Sequence, residues 1–336
     1  MPRVRLEDVA RAAGVSKSTA SRALNDPLAP LREETRARVR RAVEELAYRP
    51  HAGARALKRA DTGALGLVVP DLTNPVWARI VRGAVNQARD RDFSVLLIED
   101  VEPAATQAMV VDLVRAGRID ALVMASATPG HPLVAALPDL LVPHVFLNRA
   151  VAGSGRNVVA RDAATSELAL DHLSALGHRA VGLVSGPPGL STIATRAGSF
   201  AACAERLGLD AAPIVPAALS EQGGAEAMRA LLDGGPPVTA VGVNLLSQAI
   251  GVLATLWEVG LEVPGDVSIV CYDDLPLADY LRPALTRVRV PLAELGAEGV
   301  DEAIAQVLGE APRDVLLGVE PQLIVAGSTA PPRPGR

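Results

Sequence analysis

The stretch LEDVARAAGVSKSTASRALN, from Leu6 to Asn25, sets the reading of the amino-terminal part of the chain. Leu6, Val9 and Ala10 stand at i, i+3 and i+4 and make one apolar face of a helix running to Ala13. Gly14 suits the left-handed conformation that ends a helix, Val15 can turn inward, and the hydroxyl of Ser16 can cap a second helix. In that second helix Ala20, Ala23 and Leu24 form the inward face and Lys17, Ser18, Ser21 and Arg22 stay outside. A third amphipathic helix, from about Glu33 to Ala47, places Val39, Val43 and Leu46 on one side. Small inward residues let the first two helices cross closely at a steep angle. This is the helix-turn-helix arrangement, in which the amino end of the second helix is offered to the major groove. Lys17 and Arg22 can donate to guanine O6 and N7 or to phosphate, and Ser18 and Thr19 can read either edge. The plainer alternative is a helical hairpin with an ordinary polar face.

Charge separates this head from the rest. Residues 1–60 carry 12 Arg and 2 Lys against 7 acidic residues, while the remaining residues carry 19 basic against 31 acidic. A basic head on an acidic body suggests that only the head meets a polyanion, although a solvated helix face gives the same signs. After Tyr48-Arg49-Pro50 comes HAGARALKRADTG, too short to hold a helix alone in water but able to order on binding. Leu57 would then be an exposed apolar side chain that could wedge between base steps. A flexible linker is the competing reading.

From Gly63 onward, ALGLVVP, FSVLLIE, IDALVMA and HVFLN alternate with amphipathic stretches, and AVGLVSG, AVGV and VSIVCYDD repeat the pattern later. Continuous Val, Leu and Ile runs bounded by Gly and Pro, with helices between, predict parallel strands buried on both faces. Two such sheets give two doubly wound subdomains, an α/β body behind an all-α head. Ligands of such sheets bind beyond the carboxyl ends of the strands, which here hold Asp71 to Trp77, Ser126, Asn148-Arg149, Ser185 to Thr192 and Asp273-Asp274. A ligand gripped from both halves would favour their closed relation.

VRLEDVARAAGVSKSTASRALN, EETRARVRRAVEELAYRP and ARALK resemble the lactose-repressor (LacI/GalR) family of transcriptional regulators. The resemblance continues through PDLTNPVWARIVRGAV, HLSALGHRAVGLVSGP, EVPGDVSIVCYDD and STAPP, in the family's order. It implies the fold of periplasmic sugar-binding proteins with three crossovers between the halves, and a homodimer. The expected division is a DNA-binding domain over 1–48, a hinge helix over 49–61 and an effector-binding, dimerising body over 62–336. Within the body it places one subdomain at about 62–159 and 289–318 and the other at about 160–288 and 319–332.

On double-stranded operator DNA the resemblance maps base reading onto Lys17, Ser18 and Arg22. It maps backbone positioning onto Ser16, Thr19, Ser21, Asn25 and Tyr48, adds His51 to the DNA-binding set, and makes Leu57 the intercalating hinge residue. For the effector it maps Arg196 and Asp273, with Trp77 available to stack on a ring and Asn148 and Thr192 beside them. Simple core packing of Trp77 and a strand-end cap by Asp273 are the structural alternatives. The chain departs from the family at Leu245-Leu246, where Asn-Asp is usual, at Cys271 and Ser199 in place of Gly, and at Arg161 in place of an acid. Apolar side chains cannot satisfy buried hydroxyls, so the leucine pair weighs against an ordinary sugar.

A repressor controlled by a small sugar or related metabolite is therefore expected, with an activator or dual regulator as the alternative and a solute-binding protein more remote. An enzyme is not expected: SGPPG lacks GxGxxG spacing, and none of the five histidines sits near a Ser or Cys motif. Cys203 and Cys271, with no Cys or His at ligand spacing, predict neither a zinc site nor a redox pair, and no cofactor or metal is expected. The opening MPRVRLEDVA has no apolar export core, and no run reaches the roughly 18 apolar residues of a membrane span, which points to a cytoplasmic protein free of the membrane. With no leucine heptads in PRPGR after STAPP, a dimer is preferred to a tetramer.

Overall fold

The structure, a computed structural model, describes residues 4, 6–25, 29–46, 48, 62–234, 237–273 and 275–333. The chain divides into two compact units, Met1–Thr62 and Gly63–Arg336. In the first, helices α1 (Leu6–Ala12), α2 (Lys17–Asn25) and α3 (Glu33–Glu45) enclose a small core of Val9, Ala13, Val39 and Ala42. Gly14 takes the left-handed conformation, with φ +63°, so α1 stops there and α2 leaves in a new direction. Arg36 is buried beneath the α2–α3 connection, its guanidinium donating to the Ala29 carbonyl at 3.1 Å.

The second unit holds two six-stranded sheets. The first combines β1 (Ala64–Val69), β2 (Ser94–Glu99), β3 (Ala121–Met124), β4 (His144–Leu147), β5 (Asn157–Val159) and β11 (Val315–Leu316) in the order β11-β5-β4-β3-β1-β2. The second combines β6 (Val181–Ser185), β7 (Ile214–Pro216), β8 (Ala240–Val243), β9 (Ser268–Cys271), β10 (Thr286–Arg289) and β12 (Gln322–Ile324) in the order β12-β10-β9-β8-β6-β7. All pairings are parallel except β10 with β12. Central strands such as β3, β8 and β9 are buried along their whole length, as parallel strands covered on both faces must be. The chain passes between the sheets after β5, after β10 and after β11.

Helices α4 (Pro75–Asp90), α5 (Pro103–Arg115) and α6 (Pro132–Leu140) connect strands of the first sheet, α7 (Asp162–Ala175) carries the chain across to the second, and α8 (Ser191–Leu207), α9 (Glu221–Asp233) and α10 (Leu246–Glu258) connect strands there. The last helix, α11 (Leu292–Val307), returns to the first sheet and packs along α4. That crossing is glycine-lined on both sides. A Cβ on Gly83 would stand 1.9 Å from the Ala293 carbonyl oxygen, and one on Gly296 2.1 Å from that of Ile80. The second half repeats the device between α9 and α10, through Gly224 and Gly251.

His178 ties the carboxyl-terminal segment to the second sheet. Its Nε2 lies 2.9 Å from the Ala330 carbonyl oxygen, and its Nδ1 2.9 Å from the Thr239 hydroxyl. Burial lowers its pKa below the usual imidazole value, partly opposed by the Ala330 carbonyl, and burial acts in the same direction on His144 and His172. With the folded values depressed, the unfolded chain takes up protons first as pH falls below about 6.5. Stability present above that pH is then lost as pH falls through the folded values. The melting temperature should therefore be lower at pH 5.5 than at pH 7.5, and His178→Gln should flatten that slope; a pH series of thermal melts reads both.

Candidate functional site

In the head, the first turn of α2 is arranged by Ser16. Its Oγ accepts the Thr19 amide at 3.1 Å, capping the helix, and lies 2.8 Å from both the Ser18 Oγ and the Thr19 Oγ1. Lys17 reaches back to α1, with Nζ 2.6 Å from Glu7 Oε1. Lys17, Ser18 and Arg22 are exposed, while Thr19 and Ser21 are half-buried and Ala20 is in the core. The outward face is thus hydroxyl-rich, with a cation at each end. Tyr48 is half-buried against the head's core. The side chain of Asn25 and all of His51 and Leu57 lie outside the described residues.

In the body, the carboxyl ends of the two sheets meet around a narrow cleft of about 70 Å³. Trp77, Asn148, Thr192, Arg196 and Asp273 all line it, together with a wall of leucines that periodicity alone assigned to no site. Trp77 enters from the first turn of α4, whose cap, Asn74, accepts the Val76 amide on Oδ1 at 3.1 Å. Its indole is nevertheless only 4% exposed, and the guanidinium carbon of Arg149 lies 5.5 Å from its ring centre. Trp77 therefore belongs to the first sheet's core as well as to the cleft wall. Asn148, beyond β4, adopts φ +65°, a conformation asparagine tolerates better than most side chains. Arg149 follows it, and burial pulls its pKa below the ordinary guanidinium value while the charge of Asp100 pulls it back up.

Arg196 and Asp273 come from the second half. Arg196 is held from behind, its Nε and Nη2 donating to Asp162 Oδ1 at 2.8 and 2.7 Å. Both partners are buried, and burial raises the Asp162 carboxyl above the usual carboxylate value while Arg196 opposes the rise. Asp162 was not among the residues singled out from sequence. The available signal was the pairing of Arg161 with Asp162, an acid displaced by one position from the family's usual place. Asp273 Oδ2 lies 3.5 Å from the Leu246 amide at the start of α10, so it combines a place in the cleft with a cap-like contact. Asp274 lies outside the described residues.

A larger cavity of about 360 Å³ adjoins the cleft and shares Asn148 and Thr192 with it. Its walls include the amino end of α7 and the polar side chains of Arg161, Glu167 and Thr195. At its edge the Ala150 amide, on the first half, donates to Ser191 Oγ, on the second, at 2.8 Å. Among the described residues no group of His, Cys, Asp or Glu could hold a metal ion, and no helix is long and apolar enough to cross a membrane. Cys203 and Cys271 are buried and unpaired.

A three-helix head of helix-turn-helix design and a body of two parallel-dominated sheets around a cleft define a DNA-binding regulator built on a binding-protein body. A family model for bacterial regulatory proteins of the lacI family matches residues 5–51, and one for periplasmic binding protein-like domains matches residues 170–329. The chain is 34% identical to the transcriptional regulator GalR of Salmonella typhimurium over 97% of its length and 96% of that protein. It is 29% identical to the ribose operon repressor of Escherichia coli strain K12, covering 96% of this chain and 99% of that one. Among solved structures, the lac repressor dimer bound to operator and the anti-inducer ONPF superposes with a TM-score of 0.85, at 25% identity, covering 98% of this chain and all of that one. The chain belongs to the LacI family of bacterial transcriptional regulators.

Proposed function

We propose that this regulator is a repressor that binds a pseudo-palindromic operator as a homodimer and that a small molecule, a sugar or related metabolite, in the cleft alters its operator affinity. The observation that carries the ligand-controlled part is the cleft itself, whose walls come from both halves, with the two halves bridged by Ala150 and Ser191 at the edge of the adjoining cavity. A ligand touching both walls stabilises one relation of the halves over another by its difference in affinity for the two. Trp77, Asn148, Thr192, Arg196 and Asp273 are its contacts in this reading. Lys17, Ser18 and Arg22 read bases, Ser16, Thr19, Ser21, Asn25 and Tyr48 hold the backbone, and His51 belongs to the same DNA-binding set. The division into a head over 1–48, a hinge over 49–61 and a body over 62–336 belongs to the same reading, as do a cytoplasmic location and the lack of enzymatic activity. The repressor names of the relatives and the lac repressor dimer on its operator support it.

The test is a fluorescence-anisotropy titration of the full chain against DNA selected from a random pool. A preferred palindrome is expected, with affinity falling steeply with salt, by a log-log slope of roughly −0.9 per phosphate neutralised. Binding that does not distinguish the selected palindrome from random DNA would overturn the operator reading. Leu57→Ala should leave the thermal melt of the body unchanged and weaken specific binding by at least tenfold, because the side chain that wedges the base step is gone. Unchanged specific affinity in that variant would reduce residues 49–61 to a linker.

A further inference from the structure

We infer that the effector presents a ring of low polarity, an aromatic or heteroaromatic head group with a hydrogen-bond donor, to the apolar wall of the cleft. The inference rests on the reading of the cleft as the effector site and names the chemistry that the cleft fits.

Three observations support it. The first is the wall. Leu190, Ile193, Leu219, Leu245 and Leu292 converge on the cleft from four separate segments and from both halves of the body. Leu245 is the most informative of them, because it occupies the cap position of α10, where Ser, Asp or Asn would stabilise the helix, and it makes no capping hydrogen bond. A residue that forgoes a cap and faces a cleft contributes apolar surface there.

The second is the supply of polar partners. Arg196 has both its Nε and one terminal nitrogen engaged by Asp162, and Asn74 spends its carbonyl on capping α4. Arg149 lies over the Trp77 face, which a sugar ring would otherwise stack upon. Asn148, Thr192, Tyr272, Asp273 and the remaining Arg196 nitrogen are the cleft's other polar groups, and a ligand hydroxyl that instead meets the leucine wall without a partner costs roughly tenfold in affinity.

The third is the division of the space: the cleft proper is narrow, about 70 Å³, and shares Asn148 and Thr192 with the larger cavity beside it. The donor of the head group faces the Asp273 carboxylate, and the adjoining 360 Å³ cavity, through Asn148 and Thr192, has room for a polar remainder.

The experiment is a thermal-shift series on the full chain, followed by calorimetry. One arm contains phenol, aniline, benzyl alcohol, indole and the phenyl β-glycosides of glucose and galactose. The other contains free glucose, galactose, ribose and xylose with the matching methyl glycosides. A saturable rise in melting temperature is expected for ring-bearing compounds and none for the second arm. Leu245→Asn should weaken ring binding about tenfold, and Asp273→Asn should weaken the same compounds; Leu219→Asn serves in place of Leu245→Asn should that variant not fold. Tighter binding of any free sugar than of every ring compound overturns the inference while leaving the cleft reading intact. Silence in both arms overturns the inference as well. The cleft reading fails separately if bound compounds of either arm are unaffected by Asp273→Asn and leave operator affinity unchanged.

Discussion

Arg196→Ala is expected to destabilise the body by about 3–5 kcal/mol at pH 7.5, the usual penalty for breaking a buried ion pair by removing one partner. Arg196 and Asp162 are 8% and 6% exposed, so water cannot replace the lost guanidinium at the carboxylate. The penalty has a pH dependence whose sign follows from Asp162. Burial already raises its pKa, and removal of Arg196 takes away the group that opposes the rise. The folded variant then holds a proton that an unfolded aspartate, with a pKa of about 3.9, releases. Its stability relative to the parent is therefore least affected near pH 4 and falls as pH rises through the raised value. Urea unfolding at pH 5 and pH 7.5 reads this directly. Adding Asp162→Asn to the variant should recover more than half of the loss at pH 7.5, since an amide buries without a charge. A single variant as stable as the parent at pH 7.5 would mean that the pair contributes nothing to the fold.

Gly251→Ala should destabilise the body even though alanine is the better helix former. The substitution improves intrinsic helix propensity by about 0.8–1.0 kcal/mol. Against this, a Cβ at 251 would lie 1.8 Å from the Glu221 carbonyl oxygen and 2.7 Å from the Ala225 amide, both backbone atoms of the facing helix α9. Backbone cannot rotate out of the way, so α9 and α10 must separate, which belongs at or beyond the upper end of the usual overpacking cost of about 1–3 kcal/mol. The net loss is about 2 kcal/mol or more, a fall of about 4 °C or more in melting temperature for a body of this size. Gly198→Ala in α8 is the counterpart. Its added methyl meets nothing within 4 Å, so propensity alone operates and a gain of about 0.5–1 kcal/mol is expected. Equal effects from the two substitutions would contradict the close approach of α9 and α10.

These glycines also mark where the sequence stops being informative. The Val, Leu and Ile runs of β1, β3, β6, β8 and β9 are legible because a strand buried on both faces needs apolar residues at every position. The short strands β5, β7, β11 and β12 are not: two or three residues are too few to show a period, and their pairing is imposed by neighbours already in place. Glycines 83, 224, 251 and 296 read locally as weak spots in helices. Only the packed arrangement shows that they come in facing pairs. The same distinction holds in the cleft. Position after strand ends led to Trp77, Asn148, Thr192 and Asp273, and the family resemblance to Arg196 and to the pairing of Arg196 with Asp273; all five line it. Asp162, which occupies much of Arg196, was invisible because the pair is separated by 34 positions and by a whole strand.

For LEDVARAAGVSKSTASRALN, the sequence by itself determined the two helices, the turn at Gly14 and the cap at Ser16, because capping and left-handed backbone are decided within a few residues of chain. It likewise determined that the body is α/β and which strand ends line the cleft, since hydrophobic period and chain order are local properties. What only the tertiary structure decided is what those groups are free to do: Arg196 committed to Asp162, Trp77 half claimed by the core beneath Arg149, and five apolar side chains from distant segments brought to one wall. Hydrogen-bonding capacity and cleft polarity depend on which residues meet across tens or hundreds of positions, and that meeting is set by how the two sheets and their helices pack.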